Sequence, residues 1–348
     1  MGWLKTFNRP LQLIPGALLA ITVAMAATWV STAHGGPQLL YALLFGVALH
    51  YLSADAKAKP GIEFCARNVL RLGVGLLGAR ITAGQIVGLG WTTAAIVIGA
   101  VFTTLLVGYA LAQRLGMSRA EGTLSGGSVA ICGASAALAI SSVLPRTKDS
   151  ERFTLMVVVT VTVFSTIAMV LYPLIARAWG LPPELAGLFL GGTIHDVAQV
   201  VGAGYTIDTA TGDYATIVKL FRVSMLAVVV VVVSVMFKAE RERAEREWQA
   251  AGDTGVVEQQ PLVPWFLWLF LALVVVNSAG WLPTELAQGV SAVSRLCLVV
   301  AIAALGLKTS FEQLAKAGWQ PITLLLIETV WMALFVLLAI ALTQSGWV

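Results

Sequence analysis

The chain has 348 residues, of which 58% are apolar and only 11% carry a charge. A typical soluble domain carries roughly 25% charged residues, so a soluble fold of this size could not cover so much apolar surface. The net charge of +4 comes from basic residues scattered over short connections between apolar blocks. Because this scatter is typical of membrane-protein loops, the composition predicts a lipid bilayer as the surroundings and no nucleic-acid partner.

The apolar blocks predict an all-α polytopic membrane protein, because many of them approach the roughly 20 residues that a helix needs to cross the hydrocarbon. The first block follows Lys5 and Arg9 as in a signal peptide, but it is long and runs directly into more apolar chain, so a retained span is predicted. A highly charged stretch at 238–260 predicts a cytoplasmic linker. The predicted helices are 11–31, 37–54, 63–79, 89–114, 123–143, 153–178, 184–204, 213–237, 262–280, 287–307 and 318–344.

Two of these segments, 123–143 and 184–204, are rich in glycine and polar side chains. Paired glycine-interrupted segments point to a transporter's binding site, because unwound backbone presents N–H and C=O groups to a substrate. The glycines are expected to free the backbone, so that a helix N-terminus with Ser128 or Thr193 points at an oxyanion. Close helix packing through small residues is the alternative. The expected substrate contacts are Gly126, Gly127, Ser128, Cys132, Gly133, Ser135, Gly191, Gly192, Thr193, His195, Asp196 and Gln199.

The neighbouring pair His195 and Asp196 lies inside the second glycine-rich segment. It predicts a proton relay, a cation site or an internally satisfied polar pair, so a coupling proton or Na⁺ is a candidate partner. A metal site is not favoured, because no third ligand is in view. No Walker A, GxGxxG, HExxH or nucleophile-elbow pattern occurs, so neither an enzyme nor a bound cofactor is predicted.

Other ionisable residues fall at membrane depth, where each needs a physical reason. The basic ones outnumber the acidic ones, Asp196 and Glu328, so the interior suits an anion. Lys219 and Arg222 open the helix after the second glycine-rich segment and share one face, although both could instead snorkel to an interface. The candidate charge contacts are Arg67, Arg71, Lys219, Arg222 and Arg295.

A repeat is visible in the sequence, since the stretch from Arg67 to Trp91 aligns without gaps on the stretch from Arg295 to Trp319. An odd number of crossings separates the copies, so they face opposite sides of the membrane, as inverted repeats do. The repeat predicts two halves, 1–180 and 181–348. The distribution of basic loops favours re-entrant glycine-rich segments. The length of each glycine-rich segment instead favours a helix that crosses the membrane. Nine to eleven spans are therefore predicted, with a cytoplasmic N-terminus in either case.

Three strings, Leu70–Ile81, Ile131–Ala136 and Gly191–Gly204, resemble the YeiH-like sulfate exporter family of bacterial inner-membrane proteins. That family is similar to the superfamily of cation/proton antiporters and anion transporters. The resemblance implies inverted repeats, discontinuous helices and secondary transport of sulfate or a related small sulfur oxyanion out of the cell. An ion-coupled organic-anion carrier, an ion/proton antiporter and a receptor or scaffold without transport stay open, as does a homo-oligomer.

Overall fold

The computed structural model describes residues 3–34, 38–79, 81–88, 90–145, 148–250, 265–309 and 319–344, and in these ranges the chain forms only helices and connecting turns. The helices are α1 Trp3–His34, α2 Gln38–Ala48, α3 Lys59–Phe64, α4 Leu70–Leu76, α5 Ala83–Gly88, α6 Gly90–Arg114, α7 Arg119–Ala130, α8 Ala134–Ser141, α9 Lys148–Ala178, α10 Pro183–Thr193, α11 Val197–Ile207, α12 Thr209–Ser224, α13 Leu226–Met236, α14 Lys238–Ala250, α15 Trp265–Ser278, α16 Thr284–Lys308 and α17 Trp319–Gln344. A π-helical turn, Cys65–Val69, joins α3 to α4.

The described chain contains six helical stretches with the length and hydropathy of membrane spans, which confirms the predicted all-α polytopic fold. The other predicted crossings are shorter or interrupted, and both glycine-rich segments are among them. The six stretches are Gln12–His34, Gly90–Arg114, Arg152–Ala178, Thr209–Met236, Thr284–Lys308 and Trp319–Gln344.

The chain divides into two compact units that interleave along the sequence. The first unit comprises Met1–Gly88, Val201–Asp213 and Trp265–Ser310. Here α16 packs against α2 and α4, and α1 packs against α3. A Cβ atom added to Gly46 of α2 would lie only 2.4 Å from a carbonyl oxygen of α16, so the absence of a side chain lets the two backbones touch. Such close approach through small residues is the usual way in which membrane helices associate.

The second unit comprises Leu89–Val200, Tyr214–Pro264 and Phe311–Val348. In it α6 lies along α7, and α17 packs against α6, α7, α9 and α10. A capping box starts α7, because the Ser118 Oγ accepts from the Glu121 N–H (3.1 Å) and the Glu121 carboxylate accepts from the Ser118 N–H (2.7 Å). A proline in its first turn starts α10.

Several predicted boundaries change in the structure. The helix predicted at 213–237 begins earlier and is interrupted at Met225 between α12 and α13. The charged linker begins as the helix α14, while 251–260 lie outside the described residues. Of the aligned repeat residues, Arg80, Gln313 and Gly318 also lie outside them, so the repeat and its halves, 1–180 and 181–348, stay a prediction.

Candidate functional site

The first glycine-rich segment is a helix with a break in the middle. Helix α7 ends at Ala130, and α8 begins at Ala134. Gly133 in the break has a φ of +62°, a backbone conformation that residues with a side chain rarely adopt, so glycine permits the change of direction. Cys132 is buried in this break. The prediction of a discontinuous helix at 123–143 is therefore confirmed.

The second glycine-rich segment is broken in the same way. Helix α10 ends at Thr193, and Ile194 then takes an extended conformation with a ψ of 137°. Helix α11 begins at Val197, and the Asp196 carboxylate accepts from the Ala198 N–H at 3.4 Å, the position of an N-cap. The Asp196 N–H donates to the Ser165 hydroxyl of α9 at 3.0 Å, which fixes the break against that helix.

Lys219 of α12 is completely buried and joins the two breaks. Its Nζ donates to the carbonyl oxygens of Ile131 (2.6 Å) in the first break and of Ile194 (2.8 Å) and His195 (2.5 Å) in the second. A neutral amine has only two hydrogens, whereas an ammonium group has three, so three carbonyl acceptors match the charged form. The three contacts therefore use every donor of the Lys219 ammonium group.

Arg222, one turn further along α12, is also completely buried and binds the same helix ends. Its Nε donates to the Ala130 carbonyl (3.0 Å) and its Nη2 to the Val129 carbonyl (3.0 Å), both in the last turn of α7. Its Nη1 donates to the carbonyls of Gly191 (3.1 Å) and Ile194 (3.3 Å) at the end of α10. The guanidinium group thus donates four of its five N–H groups to carbonyls at two helix C-termini.

This arrangement follows from the electrostatics of helix ends. The last carbonyls of a helix have no intrahelical partner and carry the negative end of its dipole. Helices α7 and α10 both end inside the protein, so their carbonyls need buried donors, which Lys219 and Arg222 supply. The prediction that these two residues share a face is confirmed. They lie ten or more residues into α12, rather than at its start, and the snorkelling alternative is wrong because both are buried.

The paired glycines have a different role from the one predicted, because they lie inside α7 and α10 rather than in the breaks. An added Cβ would lie 2.3 Å from the Ile140 side chain at Gly127 and 2.4 Å from a carbonyl oxygen of α12 at Gly191. At Gly126 it would meet the backbone of α6 at 3.1 Å, while at Gly192 it would meet only ordinary contacts at 3.6 Å. The expectation that these glycines free the backbone is therefore wrong, and three of the four allow close packing.

Two predicted hydroxyl contacts, Ser128 and Thr193, also face their own helices. The Ser128 hydroxyl donates to the carbonyl of Leu124 and the Thr193 hydroxyl to that of Phe189, each at 2.5 Å and four residues earlier. A hydroxyl has a single proton, so neither keeps one for an oxyanion in this structure. Ser135, in the first turn of α8, is by contrast exposed.

The polar residues in and just after the second break differ in how deeply they are buried. His195 and Gln199 are completely buried, and Asp196 is partly buried. The Gln199 amide nitrogen makes only a long 3.5 Å contact with the Thr166 hydroxyl, and its oxygen has no partner among the described residues. The His195 Nε2 lies 3.0 Å from the Thr329 hydroxyl of α17. The Thr329 proton goes to the Leu325 carbonyl at 2.7 Å, so Nε2 carries a proton and donates.

The sequence did not reveal that α17 contacts both broken helices. Glu328 and Thr329 are adjacent on this helix, and the Glu328 Oε1 lies 2.7 Å from the Ser125 hydroxyl of α7. Glu328 is completely buried. Its signal in the sequence was a single carboxylate within an apolar span, the kind of residue that is functional by default in a membrane.

Three of the predicted charge contacts belong to the first unit. Arg67 lies in the π-helical turn before α4, and Arg71 lies in the first turn of α4. Arg295 of α16 lines a cavity of about 210 Å³ whose polar lining also includes Gln38, Tyr205, Thr209 and Ser291. The arginines therefore form part of a different set of contacts from Lys219 and Arg222, which belong to the second unit.

The helices, their breaks and the buried cations define a polytopic membrane protein with two discontinuous helices. Residues 15–325 match the family described as Conserved hypothetical protein 698, and the chain belongs to this family. Among its relatives is a UPF0324 membrane protein of Chlorobaculum tepidum, 48% identical over 93% of this chain and 88% of the relative. The UPF0324 membrane protein TauZ of Paracoccus pantotrophus is 47% identical over 93% of this chain and 94% of its own. The UPF0324 membrane protein TauZ of Paracoccus denitrificans is 46% identical over 92% of this chain and 93% of the relative. No solved structure matches the chain.

Proposed function

We propose that the protein is a secondary transporter that exports sulfate or a related small sulfur oxyanion across the bacterial inner membrane. The observation that carries the proposal is the meeting of two helix breaks at Lys219 and Arg222. Buried cations in a membrane are costly, and discontinuous helices at membrane depth are typical of transporter binding sites. The proposal assigns no catalytic reaction to the chain.

The charges around the breaks favour an anion over a cation. Lys219 and Arg222 bring two positive charges, and the neighbouring Asp196 attracts Lys219 but brings only one negative charge. The second half-helices, α8 and α11, begin at the same breaks, and the first N–H groups of a helix carry the positive end of its dipole. Such N-termini bind sulfate and phosphate groups directly.

The side-chain charge of Lys219 and the helix N-termini of α8 and α11 would act on an anion in different ways. The donors of Lys219 are fully used by carbonyls, so this residue acts on an anion through its charge at a distance. Direct hydrogen bonds are left to the first turns of α8 and α11, where Ser135 is exposed and Gln199 has incomplete hydrogen bonding. This assignment keeps Ser135 and Gln199 as contacts, leaves Asp196 as the N-cap of α11, and moves Ser128 and Thr193 out of the site.

The choice of a sulfur oxyanion rests on the resemblance of three sequence strings to the YeiH-like sulfate exporters. Inner-membrane location rests on the same resemblance, and a cytoplasmic N-terminus rests on the positions of the basic residues, including those of α14, Lys238–Ala250. A cysteine introduced into the segment 144–152, which includes the start of α9, tests the orientation of the broken helices. Labelling of this cysteine only from the periplasm would contradict the re-entrant arrangement.

The proposal is tested by reconstituting the full chain in proteoliposomes and measuring flux of labelled sulfate and sulfite, with and without gradients of pH and Na⁺. Saturable flux of either anion is expected. Flux of organic anions alone would favour an organic-anion carrier, and exchange of cations for protons would favour an antiporter. The absence of saturable flux of any solute would favour a receptor or scaffold.

A matched pair of variants tests the location of the site. Gln199→Leu removes the buried amide at the start of α11, whereas Gln113→Leu removes an exposed amide near the end of α6. We expect Gln199→Leu to raise the KM for the transported anion and Gln113→Leu to leave it unchanged. Equal kinetics for the two variants would place the anion elsewhere.

A further inference from the structure

Glu328 is a carboxyl residue inside the membrane span α17, and one of its two oxygen atoms has no hydrogen-bond partner among the described residues. It lies nine residues after the start of α17, about 13 Å along the helix axis. Its side chain is completely buried, and its Oε2 has no hydrogen-bond partner among the described residues. An orphaned buried carboxylate oxygen costs free energy, so its presence calls for a reason.

The hydrogen bonds at its other oxygen depend on one proton. The Ser125 hydroxyl lies 2.7 Å from the Glu328 Oε1 and 3.2 Å from the Gly122 carbonyl oxygen. A hydroxyl can donate to only one of the two. When the carboxyl group is protonated at Oε1, it donates to the Ser125 Oγ, and Ser125 donates to the Gly122 carbonyl, so both bonds form. When the carboxyl group is ionised, Ser125 must turn its proton to Oε1 and release the carbonyl.

Among the described residues of the helices that pack against α17, no positively charged side chain is recorded in contact with Glu328. Helix α17 packs against α6, α7, α9 and α10, whose charged residues lie within about five residues of a helix end. These are Arg114 on α6, Arg119 and Glu121 on α7, Lys148, Asp149, Glu151, Arg152 and Arg177 on α9, and Glu184 on α10. Just after α10, His195 contacts Thr329, the residue next to Glu328. The cations Lys219 and Arg222 are engaged with the carbonyls of the breaks.

A glycine on α6 shapes the space for this carboxyl group. A Cβ atom added to Gly108 would lie 2.5 Å from the Glu328 Oε1, so any other residue would push the carboxyl group off Ser125. The packing therefore holds Glu328 against the Ser125 hydroxyl, which can accept its proton or donate to its anion. The Ser125 hydroxyl can therefore serve the carboxyl group in either protonation state.

We propose that Glu328 is a proton-binding site whose occupancy is read by the first broken helix through Ser125. Binding converts the carboxylate to a carboxylic acid and moves the Ser125 proton to the Gly122 carbonyl; release reverses both changes. Ser125 lies five residues before the end of α7, whose last carbonyls bind Arg222. Together with the proposed function, this makes Glu328, rather than the His195–Asp196 pair, the residue that carries the coupling proton.

Infrared spectroscopy of the purified full chain over a pH titration tests the proton site without any transported solute. The wild type is expected to show the C=O stretching band of a buried protonated carboxyl group, which Glu328→Gln removes. Ser125→Ala keeps the carboxyl group and should shift the band, because the hydrogen bond is lost. Glu184→Gln, at an exposed position, should leave it unchanged. A wild type without the band at every pH, or a band that survives in Glu328→Gln, overturns the proposal.

Transport measurements then test coupling. In proteoliposomes, Glu328→Gln is expected to lose the acceleration of anion flux by a pH gradient and to keep anion counterflow without a gradient. Unchanged acceleration in this variant overturns the coupling role even if the infrared band is present. If the wild type carries no anion, the proposed function fails, while the infrared result still decides whether Glu328 binds a proton.

Discussion

Replacing Lys219 by Met keeps an unbranched side chain, one atom shorter, and removes the three donors that join the two helix breaks. The carbonyls of Ile131 and His195 lose the Nζ partner, while the Ile194 carbonyl keeps Arg222 at 3.3 Å. Each buried acceptor left without a partner costs about 1–3 kcal/mol, so two cost roughly 2–6 kcal/mol. Because the apolar side chain also removes the cost of burying an ammonium group, we expect a net loss of about 2–4 kcal/mol.

The loss can be measured as the change in the free energy of unfolding of the purified protein in mixed micelles titrated with a denaturing detergent. Lys238→Met is the matched control, because this lysine is exposed and its 4.0 Å contact with Glu242 is a surface ion pair worth roughly 0–1 kcal/mol. Lys219→Arg tests whether a cation alone suffices. Equal stabilities for Lys219→Met and Lys238→Met would refute the conclusion that the ammonium group holds the helix ends.

Two further predictions follow from the packing of the broken helices. Gly191→Ala should destabilise the protein by about 2 kcal/mol or more, since its Cβ would lie 2.4 Å from a backbone oxygen, whereas Gly192→Ala should be neutral or slightly stabilising. The same unfolding titration checks both, and a tolerated Gly191→Ala would contradict the close contact with α12. Ser128→Ala and Thr193→Ala should leave the anion KM unchanged, because their protons are bound within their own helices; a raised KM in flux assays would return them to the site.

The sequence predicted the helices and both broken segments, because apolar length and clusters of small residues are local signals. It also placed Lys219 and Arg222 on one face, since three residues make almost one helical turn. It did not show which residues of each segment form the break. Both glycine pairs lie inside helices, and three of the four glycines are packed closely against a neighbouring helix, a contact that no local pattern contains.

The partners of the buried charges were beyond prediction for a related reason. Lys219 binds main-chain carbonyls up to 88 residues away, and any residue type can offer a carbonyl. The bond between Ser125 and Glu328 spans 203 residues, so it depends on the packing of α17 against α7. The sequence could mark Glu328 as unusual in its span, but only the fold supplies the hydroxyl beside it.

The central claim is that an oxyanion binds at the start of α8 and α11, beside the breaks held by Lys219 and Arg222. Selenate has the charge and nearly the shape of sulfate, and its selenium scatters anomalously. Crystals of the full chain soaked in selenate should therefore show an anomalous peak within hydrogen-bond distance of the first N–H groups of these two helices. Saturable sulfate flux together with a selenate peak only at another place, such as the cavity beside Arg295, would contradict the account.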